Sequence, residues 1–234
     1  MVLFDNEAKK KSVLVVVAHP DDETIGAGGA LAKFCNQGYS VYAISFTNGV
    51  GARESSGKDS ITKRSKAAQL AANELGFKWA FQGDFPDNAL DTVSLLELVK
   101  IIEGTKNSLK PSIIFTHSPS DLNVDHRVVA TAVLTAFRPV PNESFTEIFA
   151  MEIPSATDFG SPFFFGNFSP NYYINVDSTW ERKLKALEKY QDELRETPHS
   201  RSKSGIHALA VLRGHQVGLE LAEAFQLIRK VDRF

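Results

Sequence analysis

The apolar run Val13-Leu14-Val15-Val16-Val17-Ala18 leads without a break into His19-Pro20-Asp21-Asp22-Glu23, and then into small and apolar residues at helical spacing. A continuous β-branched run is the pattern of a strand buried on both faces, as in a parallel sheet covered by helices. Ser12 to Ala18 therefore reads as the first, central strand. Thr24 to Gln37 reads as a helix stopped at Gly38, and Tyr39 to Thr47 as a second strand. Strand, turn, helix, strand is a βαβ unit, with the right-handed crossover that such units almost always take.

The same rhythm continues. Gly49 to Lys58 is a polar, glycine-containing loop, Ser60 to Leu75 a helix ending at Gly76, Lys78 to Gln82 a short strand, and Thr92 to Asn107 a helix. Ser112 to Thr116 follows as another strand, then His117-Ser-Pro-Ser-Asp-Leu-Asn-Val-Asp-His126 and a helix to about Phe137. From Arg138 to Pro170 the chain reads as strands and ordered loops. Ser178 to Leu194 and Gly218 to Arg229 each carry an apolar face at helical spacing and are expected to be helices. The expectation is an α/β fold with a mostly parallel sheet flanked by helices, in a single domain. A core over about 12–140 would carry a mixed C-terminal portion, about 141–234, packed on it.

Charge narrows the partners. A formal net charge of −2 gives no global positive field for nucleic acid or an anionic membrane surface. No segment approaches the ~20 apolar residues of a membrane span. The basic residues Lys9 to Lys11 before the apolar run do not make a secretory signal, because that run is short and acidic residues follow it at once. A cytoplasmic location follows by default, and a homo-oligomer stays open. The single cysteine, Cys35, falls in a helical pattern and reads as an inert thiol.

In open α/β sheets ligands bind beyond the carboxyl ends of the strands. Here those ends carry His19, Asp21, Asp22 and Glu23; Asn48 and Arg53; Asp84 and Asp87; and His117, Asp121, Asn123, Asp125 and His126. His19 and Asp22, three residues apart in a tight turn, can face one point, and His126 is placed to complete a facial set. Two imidazoles and one carboxylate leave a fourth position for water, as in catalytic zinc sites, although Fe(II), Co(II) and Mn(II) also fit. His117 reads as a hydrogen-bonded rim residue, His207 and His215 as structural, and Lys63, Arg64 and Lys66 as a solvated helix face. Gly26, Gly28 and Gly29 do not spell a dinucleotide fingerprint and are expected to let the helix pack closely on the sheet.

The segments VLVVVAHPDDETIGAGGALA and SDLNVDHRVVATA resemble the PIG-L, or LmbE-like, family of zinc deacetylases, over roughly residues 12 to 140. The resemblance implies a Rossmann-like fold, zinc held by His19, Asp22 and His126, and Asp21 as general base. It also implies hydrolysis of an N-acetyl group on an N-acetylglucosamine-like sugar. Asn123 stands where the family's second motif, HPDH, begins with His. An Asn amide can donate to an oxyanion but cannot act as an acid. Asp125, without that partner, is expected to orient His126. Arg53 and Asp87 fall in loops that line the sugar pocket in similar proteins, and His199 is a candidate for the missing acid. The rival reading is a non-catalytic, metal-containing sugar- or nucleotide-binding module on the same scaffold.

Overall fold

The computed structural model describes residues 11–51 and 58–232. Five parallel strands come first in the chain: β1 (Ser12–Val17), β2 (Ser40–Thr47), β3 (Lys78–Phe85), β4 (Ile113–His117) and β5 (Glu147–Met151). Between and after them lie α1 (Asp22–Asn36), α2 (Lys58–Leu75), α3 (Leu95–Leu109) and α4 (Val124–Ala136). The remainder supplies α5 (Pro162–Phe165), β6 (Tyr172–Asn175), α6 (Trp180–Leu187), α7 (Lys203–His215) and β7 (Ala222–Lys230). The seven-stranded sheet runs β3-β2-β1-β4-β5-β7-β6, with β7 antiparallel to both of its neighbours.

β1 is fully buried because it sits between β2 and β4 with helices on both faces. Alternate residues enter two cores: Val13, Val15 and Val17 face one layer, and Leu14, Val16 and Ala18 the other. Connections on one side of β1 run to β2 and β3, and on the other to β4 and β5. The strand order therefore reverses between β1 and β4, where open sheets leave a crevice for ligands. Helix α1 lies close to the sheet. A Cβ on Gly26 would come within 2.7 Å of Met151 and Ile153, and one on Gly29 within 2.7 Å of Val176.

Two expectations for the C-terminal portion are corrected. The helix expected over 218–229 is instead the strand β7, lying between β5 and β6. Residues 222–225 are all buried, so the two-residue alternation that marks a half-exposed strand is hidden, and Leu221, Ala222, Phe225 and Ile228 imitate a helical stripe. The helix expected over 178–194 breaks up. Three-ten turns at Asp177–Thr179 and Glu188–Glu193 flank α6, and Tyr190 leaves helical geometry at φ −97, ψ 43. That departure turns Tyr190 and Glu193 inward, each against a partner in the pocket region.

A buried ion pair ties this portion to α1. Glu223 of β7 accepts the Gly29 and Ala30 amides, which a regular helix directs to the carbonyls of Ile25 and Gly26. Lys183 of α6 donates to Glu223 and to the Ile25 carbonyl, each at 2.7 Å. Among the described residues no helix is long and apolar enough to cross a membrane.

Candidate metal centre and active site

The turn after β1 is built by its own side chains. Asp22 Oδ2 accepts the His19 backbone N–H at 3.0 Å, which closes the turn and sets the His19 ring beside the Asp22 carboxylate. Asp21 sits at φ 143, a region sparsely visited by residues with a Cβ. Glu23 holds it there by accepting the Asp21 N–H at 3.0 Å, and Glu23 in turn accepts the hydroxyls of Thr24 and Tyr190. Burial pushes the Glu23 carboxyl up to about 7.

The second half of the site comes from the β4–α4 connection. Asn123 caps α4, its side-chain oxygen accepting the Asp125 N–H at 2.8 Å, which fixes the first turn from which Asp125 and His126 project. His126 reaches across the reversal of strand order to the β1 turn. His19 Nδ1, Asp22 Oδ2 and His126 Nε2 then form a triangle with sides of 3.0, 3.3 and 3.3 Å. Ligands about 2.0–2.1 Å from a tetrahedral zinc stand roughly 3.3 Å apart, so these atoms fit a metal without rearrangement. The three residues are buried and together make a group able to hold a metal ion.

Carboxylates back both imidazoles. His19 Nε2 lies 3.2 Å from Asp87 Oδ1 and 3.2 Å from Asp125 Oδ2. Asp125 is fully buried and also accepts the backbone amides of Asn88 and Leu90 at 2.7 and 2.9 Å. His126 Nδ1 lies 3.0 Å from Asp121. The expectation that Asp125 orients His126 is thus corrected: Asp121 stands behind His126, and Asp125 behind His19. On a helix beginning at Val124, Asp125 and His126 point about 100° apart and cannot face each other.

Burial opposes charge on His126, but Asp22 and Asp121 outweigh it and carry its pKa up to about 9. Burial likewise opposes charge on His19, and Asp125, Asp22 and Asp87 raise its pKa well above the ordinary value. For Asp22 burial is outweighed by the charge of His126 and by hydrogen bonds from His126 and His19, which hold it well below the usual carboxylate range. Asp21 goes the other way: burial and the neighbouring Asp22 raise it, against Arg64 and Arg201. His117, stacked on His126 at 3.8 Å, accepts the Ala18 N–H at Nε2, and burial pushes its pKa down, so it is neutral.

The pocket, about 130 Å³, is lined by His19, Asp21, Asp22, Gly49, Arg64, Asp87, Asn88, Asn123, His126, Glu193 and Arg201. Arg53 lies outside the described residues. His199 does not line the pocket: its Nδ1 accepts the Arg201 N–H at 3.0 Å and its ring packs against Phe159. Arg64 is not on a solvated face. It is buried, donates to the Pro20 carbonyl at 2.7 Å, stands 3.4 Å from Asp21 and pairs with Glu193. Its position in line with the buried Ala68, Ala71 and Leu75 is a periodic signal that marks it from sequence. Glu193 and Arg201 carry no such mark. A larger cavity of about 470 Å³ shares Arg64 and Glu193 with the pocket but among the described residues contains no comparable metal-competent set.

The chain is similar to known proteins over much of its length. The model of the family described as "PIG-L: GlcNAc-PI de-N-acetylase" matches residues 14–137. A diacetylchitobiose deacetylase of Thermococcus kodakarensis is 26% identical over 95% of this chain and 84% of its own length. A 4-oxalmesaconate hydratase of Pseudomonas putida is 26% identical over 76% of this chain and 72% of its own. The structure of an N,N'-diacetylchitobiose deacetylase from Pyrococcus horikoshii superposes with a TM-score of 0.77 at 22% identity, covering 94% of this chain and 85% of that one.

Proposed function

The chain belongs to the PIG-L (GlcNAc-PI de-N-acetylase) family, and from that premise we propose that it is a zinc-dependent hydrolase removing the N-acetyl group from an N-acetylglucosamine-like amino sugar or its conjugate. The observation that carries the proposal is the buried His19–Asp22–His126 triangle with an unliganded carboxylate, Asp21, in the same pocket. The same proposal takes the chain as one catalytic unit acting in the cytoplasm on a small-molecule substrate.

His19, Asp22 and His126 would hold the zinc, which when bound would supply a Lewis acid to polarise the acetyl carbonyl and acidify water. The chain's own residues do the rest. Asp21 accepts a proton from the attacking water and returns it to the departing nitrogen, so that amide and water become acetate and free amine. Burial and the Asp22 charge raise its pKa, making it a better base than an exposed carboxylate. Glu23 on its backbone N–H and Arg64 beside its carboxylate limit the directions it can face. Asn123 donates one amide hydrogen to Asn88 Oδ1 at 3.0 Å, which leaves its second for the oxyanion, a contact worth about 3 kcal/mol. With no imidazole at that position, the leaving-group proton falls to Asp21.

A second reading, a non-catalytic binding module, rests on Asn123 alone. Asp21 counts against it, since a binding site has no use for a strained, unliganded carboxylate at the metal. The test is acetate release by zinc-loaded protein from a panel of N-acetyl amino sugars and their glycosides. Release from any member supports the hydrolase. Stoichiometric metal with no release, and no hydration of 4-oxalmesaconate, the compound the hydratase relative is named for, would favour the module.

A further inference from the structure

Among the described residues two guanidinium groups line the pocket and are employed differently. Arg64 is spent inside the protein, on the Pro20 carbonyl, Asp21 and Glu193. Arg201 enters from the segment before α7, with its backbone held on both sides. Its N–H donates to His199 Nδ1 at 3.0 Å, its carbonyl accepts from the Arg195 N–H at 3.4 Å, and Ser202 caps α7 by accepting the Gly205 N–H at 3.0 Å. Its Nε reaches toward the Pro154 carbonyl at 3.4 Å, and among the described residues its outer nitrogens make no ion pair.

An arginine keeps its charge at any working pH, and its planar fork matches a carboxylate or phosphate with two parallel hydrogen bonds. Half-buried, it acts on Asp21 only through its charge and is in ion-pair contact with no carboxylate among the described residues, so it forgoes hydration that a bound anion would replace. The pocket, at about 130 Å³, is smaller than the cavities that enclose whole ligands, so it takes the acetamide end while the rest of the substrate lies across the rim. Of the two described guanidinium groups in the pocket lining, Arg64 is engaged by Asp21 and Glu193, which leaves Arg201 to meet an anion there.

We propose that Arg201 is a specificity-determining residue that binds an oxyanion, carboxylate or phosphate, carried by the substrate beside its N-acetylated amine. This rests on the deacetylase reading. The experiment compares kcat/KM for acetate release from N-acetylglucosamine, N-acetylglucosamine 1-phosphate and N-acetylmuramic acid by the zinc-loaded full chain. The wild type is expected to prefer one of the two anionic probes by tenfold or more, mainly through KM. Arg201→Ala should lose at least tenfold of that ratio, and Arg201→Lys, which keeps charge without the fork, should recover part of it. Whether phosphate or carboxylate is preferred identifies the anion.

An unchanged ratio in Arg201→Ala, at wild-type metal content and thermal midpoint, would overturn the proposal. So would weakened inhibition by acetate with the ratio unchanged, which would assign Arg201 to the product. If neither these probes nor any member of the wider panel is hydrolysed, the deacetylase reading fails, and calorimetric binding of the same three probes decides Arg201 separately. An anionic preference lost in Arg201→Ala sustains the proposal, and equal binding by both proteins removes it.

Discussion

His19 Nδ1 and His126 Nε2 lie 3.3 Å apart although 107 residues separate them in the chain. One ring leaves the end of β1 and the other the first turn after β4, and the two meet because β1 and β4 pair side by side. If a metal joins them, His126→Ala should lose most of it. We expect about one zinc per wild-type chain by elemental analysis and a large loss in the variant after identical handling. Full retention would refute the ligand set.

The pH dependence of metal uptake should be displaced upward. Without metal, His126 holds its proton up to about 9, because Asp22 and Asp121 overcome burial. A ligand must be neutral to bind, so affinity falls as pH drops below that value, by roughly tenfold per unit for each proton displaced. Chelator competition, corrected for the chelator's own protonation, should show affinity still rising between about pH 7 and 9, whereas a plateau near the ordinary histidine value of ~6.5 would contradict this.

Asp21→Asn keeps the shape and removes the base. Turnover should fall on the order of 10²–10⁴-fold with zinc content unchanged. Loss of metal in parallel with activity would instead make Asp21 part of the ligand set.

The carboxylates behind the ligands should act in separate pairs. Asp125→Asn and Asp121→Asn are each expected to weaken metal binding by about 10–100-fold. Asp125→Asn should add little once His19 is replaced, and Asp121→Asn little once His126 is replaced. The reverse coupling would restore the Asp125–His126 pairing that sequence suggests.

The Lys183–Glu223 pair is buried, at 3% and 5% exposure. Lys183→Met strands a carboxylate against α1 and should cost about 3–5 kcal/mol in urea unfolding. Adding Glu223→Gln should recover part of that, because the amide leaves no unpaired charge. A Lys183→Met variant as stable as wild type would show that the two backbone amides satisfy Glu223 alone.

Local pattern alone determined a good deal of this protein. The all-apolar β1 run, the His-Pro-Asp-Asp-Glu turn and the small residues of α1 specify a strand, a tight turn and a close-packed helix, because each depends on neighbours in the chain. The residues of the candidate metal site are legible for the same reason: His19, Asp21 and Asp22 share one turn, and Asn123, Asp125 and His126 share one helix start. What only the tertiary structure decided is how groups distant in sequence pair. Asp125 serves His19 rather than His126 because the β1–β4 pairing brings α4's first turn across the site, and helical rotation aims neighbouring residues apart. Arg64, Glu193 and Arg201 enter the pocket from α2 and from the segments around Tyr190 and α7, whose inward turns depend on partners distant in sequence. β7 is a strand because β5 and β6 satisfy its backbone from both sides, and that stabilisation exists nowhere in its own nine residues.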